Sequence, residues 1–147
     1  MSELPQLQAM QQLGRTYRAL MSAFESSVGH SMPRWRILLT LHQRGETSQK
    51  QLAQDLALDP AALTRHIKAI ENEGWIERHS DVNDNRLTNV ALTDAGRTIV
   101  EKTMPLRTAF IEHAFGDLSL AQIKALTTLL QAMEQGLRQG GSRQFSD

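Results

Sequence analysis

Apolar residues recur at spacings of three and four along most of this chain, but between residues 75 and 92 the period drops to two. The segments "WIERH" and "LTNVAL" read as strands, and the polar, turn-rich "SDVNDNR" between them reads as the tip of a hairpin. A single small hairpin set among helices predicts a mainly α fold with a two-stranded β-wing.

The helical segments carry their own start and stop signals. From Leu4 to about Val28, Leu7, Met10, Leu13, Tyr17, Leu20 and Phe24 form one stripe of a long amphipathic helix, and Gly29 ends it. "SMPRWRILLTLHQRG" has Pro33 in the first turn and Arg44-Gly45 as a stop. Ser48 with Gln51 forms a capping box for a short helix, "SQKQLAQDLAL". Asp59-Pro60 opens "AALTRHIKAIENEG", which Gly74 closes. Thr93 caps a helix running to about Phe115 with Pro105 as a kink, and Ser119 with Gln122 caps a last helix carrying Ile123, Leu126, Leu130, Met133 and Leu137 as a near-heptad seam.

The flanking helices have more apolar surface than the small middle lobe can cover, so a second copy of the chain is the expected partner. Packing of these helices only on each other is the simpler alternative. The expected organisation is a helical dimerisation lobe from residues 1–30 and 98–139, a winged helix-turn-helix lobe from 31–97, and a flexible tail at 140–147.

Composition narrows the function. A chain of 147 residues is one domain or two tightly joined lobes. Its formal net charge is zero, so no bulk attraction to nucleic acid or membrane is available. It has no cysteine, which removes disulfides, thiol redox sensing and Cys-ligated metal. No apolar run approaches the roughly 18 residues of a membrane span, and "MSELPQLQAMQQ" has no secretory pattern, so a cytoplasmic protein without a membrane partner is expected. No nucleophile–base set, glycine-rich phosphate loop or catalytic carboxylate pair is present, and no enzyme activity or cofactor is expected.

Residues 48–75 form helix, the connection "LDP", and helix. With Leu63, Ile67 and Ile70 turned inward, about 100° per residue places Ala61, Thr64, Arg65, Lys68 and Asn72 on the opposite face. Small residues at the helix start permit close approach to a surface, and a hydroxyl with two cations beyond them suits a recognition helix in a major groove. Charge argues the other way. Between Asp59 and Arg86, four Lys or Arg face six Asp or Glu, so any nucleic-acid surface must come from placement. The hairpin supplies a second contact: a wing tip over the neighbouring minor groove suits Arg86, with Asp84 holding its guanidinium by a charged hydrogen bond. A winged helix used only for protein–protein contact is the competing reading.

The stretch "LAQDLALDPAALTRHIKAIENEGWIERHSDVNDNRLTNVALTDAGR", preceded by "SMPRWRILLTL", resembles the MarR/SlyA family of bacterial transcription regulators. The carrying motifs are the leucine–alanine helix, the Thr64-Arg65 pair, "E-x-x-G-W-I-E-R", the Asp-x-Arg wing and "LT-x-x-G". The resemblance implies a homodimeric repressor on a pseudo-palindromic double-stranded operator, with Thr64 and Arg65 as recognition-helix contacts and Arg86 as the wing contact. Val82 and Asn85 depart from a wing pattern that often reads Asp-Pro-x-Asp-Arg-Arg, and Ala61 and Ala62 stand where serine is common.

The resemblance also implies a small aromatic or phenolic acid as effector, bound where the helical lobe meets the winged lobe. Arg15, Arg18, His30 and Arg36 are the candidate effector residues there, each with an ordinary surface ion pair, such as one to Glu25, as its competing role. The five histidines show no HxxxH or HExxH spacing. A meeting of His42 with Glu112 and His113 is the one weak metal alternative, while His66 and His79 sit beside the recognition face and wing base, and no metal site is expected.

Overall fold

A computed structural model describes residues 4–140. The elements run α1 (Pro5–Val28), α2 (Met32–Arg44), β1 (Thr47–Ser48), α3 (Gln49–Leu56), α4 (Pro60–Asn72), β2 (Ile76–Ser80), β3 (Thr88–Leu92), α5 (Asp94–Ala114) and α6 (Leu120–Gly140). The chain separates into two compact units, one through Phe110 and one from Ile111 onward. Gly140 closes α6, and residues 141–147 of the expected tail lie outside the described residues.

Local chemistry sets the helix ends. Ser48 Oγ accepts from the Gln51 amide, Asp59 Oδ2 from the Ala62 amide and Thr93 Oγ1 from the Gly96 amide, each satisfying a donor that the first helical turn leaves unpaired. The Ser119–Gln122 box is complete in both directions, whereas the Gln51 side chain turns to Asp55 instead of back to its cap. Gly29 ends α1 at φ 87°, a left-handed conformation that suits glycine.

The expected two-stranded hairpin is β2 and β3, and the sheet adds a third strand to it, in the antiparallel order β1-β3-β2. β1 is only two residues long and pairs Thr47 with Val90 and Ser48 with Asn89, while β2 pairs with β3 from Ile76–Leu92 to Ser80–Thr88. So short a strand has no period of its own to read; the pairing partner makes it a strand.

The core of the first unit joins Trp35, Ile37, Leu38 and Leu41 of α2, Leu52 and Leu56 of α3, Leu63, Ile67 and Ile70 of α4, and Val90 of β3. α1 contributes only Phe24 and Val28, with Phe24 edge-on to Phe110 at 5.3 Å between ring centres. Leu20 is half-buried, and the stripe from Leu7 to Tyr17 is open, with Tyr17 at 60% exposure. In the second unit α6 buries none of its residues, and Leu126, Leu130, Met133 and Leu137 all face solvent. Among the described residues no helix is long and apolar enough to cross a membrane.

Candidate nucleic-acid interface

Leu63, Ile67 and Ile70 are at most 1% exposed, which fixes the rotation of α4 and turns Ala61, Arg65, Lys68 and Asn72 outward. Among the described residues Arg65 and Lys68 make no hydrogen bond or ion pair, so both cations are free to meet an external anion. Thr64 differs from expectation. It is half-buried, its hydroxyl donates to the Pro60 carbonyl oxygen at 3.0 Å, and its oxygen accepts from Gln49 Nε2 at 2.8 Å. Its hydroxyl proton is engaged within the protein, so it cannot serve as the free donor that its helix position suggested.

The wing is built around two carboxylates. Asp81 Oδ1 accepts from the amides of Asn83 and Asp84, and its Oδ2 accepts from Asn89 Nδ2 at 2.8 Å. The Asn89 bond and then the two amides hold the Asp81 carboxyl below the usual carboxylate range. Asp84 does the same for the arginine: Oδ1 accepts from Arg86 Nε at 3.0 Å and Oδ2 from Nη2 at 3.2 Å, as the sequence suggested. The Arg86 side chain is still 90% exposed, so the carboxylate aims the guanidinium without covering it. Val82, at 94% exposure, is an apolar side chain at the same tip.

Behind the tip, Arg78 of β2 binds Glu71 of α4, and His79 contacts Glu46 ahead of β1. These pairs fasten the hairpin to α4 on one side and to the segment ahead of β1 on the other. A cleft of about 690 Å³ lies between α3, the start of α4 and the wing, with Gln49, Lys50, Thr64, Arg86 and Thr88 among its lining residues. The pKa of His66, on the flank of α4, is held below its ordinary value by burial and then by Arg34 and Arg65.

Three of the four effector candidates have separate partners within the chain. Arg15 is exposed and donates to Gln12, and Arg18 lies exposed on the same helix, about 15 Å of helical rise before α1 ends at Val28. Arg36 donates Nη2 to the Leu56 carbonyl at 3.2 Å, where it caps the end of α3. That bond engages one nitrogen of an otherwise exposed guanidinium. His30 is half-buried, 3.3 Å from Thr103 Oγ1 and edge-on to Trp75 at 5.2 Å. Burial, then Arg34, lowers its pKa against an opposing pull from Glu73.

Sequence reasoning missed a different pair. Among the described residues Trp35 Nε1 and Arg107 Nε are buried without a hydrogen-bond partner, and the Arg107 guanidinium sits 6.0 Å from the centre of the Trp35 ring. The two come from α2 and α5, and no local spacing connects them. Among the described residues no three His, Asp or Glu side chains gather as metal ligands.

The family model described as "MarR family" matches residues 30–88. YdgJ of Bacillus subtilis (strain 168), described as an uncharacterized HTH-type transcriptional regulator, is 32% identical over 114 residues, covering 78% of this chain and 70% of that protein. The solved structure of Bordetella bronchiseptica BpsR, reported for the regulation of its DNA binding by 6-hydroxynicotinic acid, matches with a TM-score of 0.75 at 25% identity, over 86% of this chain and 98% of that one. A mutant MarR from E. coli, solved with operator DNA, shares the fold with a TM-score of 0.81 at 20% identity, over 90% and 99% of the two chains.

Proposed function

Because this chain belongs to the MarR family of transcriptional regulators, we propose that it works as a homodimer on a pseudo-palindromic operator, represses by occluding promoter DNA, and is released by a small aromatic carboxylic acid. The observation that carries the operator reading is the pairing of two unneutralised cations on α4, Arg65 and Lys68, with a carboxylate-aimed, 90% exposed Arg86 on the adjoining wing. A helix presenting cations suits the major groove, and an arginine at a wing tip suits a narrow minor groove. This concentrates positive charge on a chain whose net charge is zero.

Dimer formation is supported by the open apolar stripes: Met10 and Tyr17 on α1 are 57% and 60% exposed, and Leu129 and Leu137 on α6 are 68% and 65% exposed. A twofold dimer would present two α4 helices to one duplex, and successive major grooves require them about 34 Å apart. The effector reading is supported by the unpartnered Trp35 and Arg107 nitrogens, because a planar acid could accept hydrogen bonds from both and stack by the guanidinium. Such a ligand acts only if it binds one dimer spacing more tightly than another.

The test is fluorescence anisotropy on the chain's own promoter region with wild type, Arg65→Ala and Arg86→Ala, alongside light-scattering mass in solution. Loss of affinity in both variants with a dimeric wild type supports the operator reading. Unchanged affinity in both, or a monomer at micromolar concentration, overturns it. 6-Hydroxynicotinic acid and salicylate are then tested for thermal stabilisation of wild type and of Trp35→Phe; stabilisation that survives in Trp35→Phe removes Trp35 from the effector site.

A further inference from the structure

We infer that Gln49, the first residue of α3, is a specificity-determining residue that reads one A·T pair per half-site, with Thr64 as the group that positions it. The inference rests on the operator reading above.

A hydrogen-bond chain runs from Gln49 Nε2 to Thr64 Oγ1 at 2.8 Å and from Thr64 Oγ1 to the Pro60 carbonyl oxygen at 3.0 Å. A carbonyl oxygen can only accept, so the Thr64 hydroxyl proton must point at Pro60. Its oxygen must then accept from Gln49, which requires the amide nitrogen of Gln49 on the Thr64 side and Oε1 on the other. The chain therefore fixes both the position of the Gln49 amide and which way round it faces. One N–H of that amide is engaged, leaving the second N–H and Oε1.

A free N–H beside a carbonyl oxygen is the donor–acceptor couple that matches N7 and the N6 amino group of adenine in the major groove. Thr64, its hydroxyl engaged, offers its methyl group, which suits the methyl of a thymine. Both residues line the cleft that also contains Arg86 and Thr88, so they sit on the side of α3 and α4 that faces the wing. Holding a long amide in one rotamer beforehand removes much of the ordering penalty that a free glutamine would carry on binding.

The experiment uses the full chain and a duplex it selects from a random-sequence library. Affinities are then measured for every single-base substitution in that duplex with wild type, Gln49→Ala, Thr64→Val and Thr64→Ser. Wild type is expected to discriminate by about tenfold or more at one A·T pair in each half-site. Gln49→Ala should flatten that position to within about twofold and leave the other positions as they were. Thr64→Val, which keeps the shape and cannot relay the bond, should lose part of the same preference, and Thr64→Ser should keep the adenine preference. Replacing that adenine by 7-deazaadenine should weaken wild type and leave Gln49→Ala unaffected. A Gln49→Ala profile identical to wild type overturns the inference, and so does a uniform loss at all positions, which would mark a phosphate contact. Failure of the wild-type chain to enrich any sequence overturns the operator reading itself, and this inference with it.

Discussion

Arg78 grips Glu71 through two parallel hydrogen bonds, Nε to Oε2 and Nη2 to Oε1, each 3.0 Å long. The pair ties the first strand of the wing to the last turn of α4, so it helps set the angle between the two elements proposed to meet DNA. The Arg78 hydrogen bonds hold the Glu71 carboxyl below the usual carboxylate range. A depressed native value means that the stabilisation is present above the unfolded value of about 4.3 and is lost as pH falls through the native one. Because both side chains remain about a third exposed, water screens the pair, and Glu71→Gln should cost only about 0.5–1 kcal/mol. Urea unfolding at pH 7 measures the difference, which should shrink toward pH 3. Equal stabilities at pH 7 would show that the pair does not hold the wing.

Gly96 is the glycine of the "LT-x-x-G" motif, and its requirement is space. A Cβ there would lie 2.0 Å from the Trp75 carbonyl oxygen, which is itself pinned by the Thr93 amide at 3.0 Å. Thr93 Oγ1 also donates to the Gly74 carbonyl at 2.6 Å, so the end of the α4 segment and the start of α5 are fastened at successive residues. Gly96→Ala cannot be relieved by rotating a side chain; the α5 backbone must move. It should cost roughly 3 kcal/mol and lower the melting temperature by about 6–12 °C. A melting temperature within a degree or two of wild type would mean that α5 shifts freely here.

These two relationships show what the sequence makes legible. Caps at Ser48, Asp59, Thr93 and Ser119 act within one helical turn, and the Asp84–Arg86 clamp spans two residues, so spacing alone revealed them. The inward face of α4 followed from its period because its apolar residues have only one way to be buried together. Contacts between elements were not legible. Gln49 meets Thr64 from another helix, Trp35 meets Arg107 across the fold, and Arg36 is captured by the carbonyl of Leu56. An arginine that looks like an open ligand clamp in sequence can be a helix cap, because an unpaired carbonyl at a helix end competes for the same donors.

Ala57 adopts φ 51° at the end of α3, in the turn that leads to α4. A left-handed alanine carries a steric penalty on the order of 1 kcal/mol that glycine escapes, offset in part by the greater freedom of glycine when unfolded. Ala57→Gly should therefore leave the fold intact and stabilise it by about 0.5 kcal/mol, read from the midpoint of urea unfolding. A loss of stability would mean that the alanine methyl makes contacts worth more than the strain.

His30 should make the chain sensitive to mild acid. Burial, reinforced by Arg34, lowers its pKa below 6.5, so the unfolded chain binds the proton more readily than the native one. Stability is then full above about pH 6.5 and declines as pH falls toward the native value. His66 shifts in the same direction for the same leading cause, and its contribution adds to the decline. Unfolding free energy measured from pH 7.5 to 5 should fall less steeply in His30→Gln than in wild type. Parallel curves would assign the acid sensitivity elsewhere.

Salt dependence separates the roles of the three exposed cations. If Lys68 meets a phosphate, Lys68→Ala should weaken binding to all duplexes alike and reduce the log–log salt slope by about 0.9, because one fewer counterion is released. If Arg65 reads a base edge, Arg65→Ala should relax preference at one G·C pair by roughly 1–3 kcal/mol. Arg86→Ala should lose affinity most on duplexes with A·T-rich flanks, where a narrow minor groove concentrates negative potential. Anisotropy titrations of all three variants across a salt series, on the selected duplex and on versions with altered flanks, resolve these patterns. Salt slopes unchanged in every variant would mean that these cations do not displace counterions from DNA, and the interface would have to be sought on another face of the lobe.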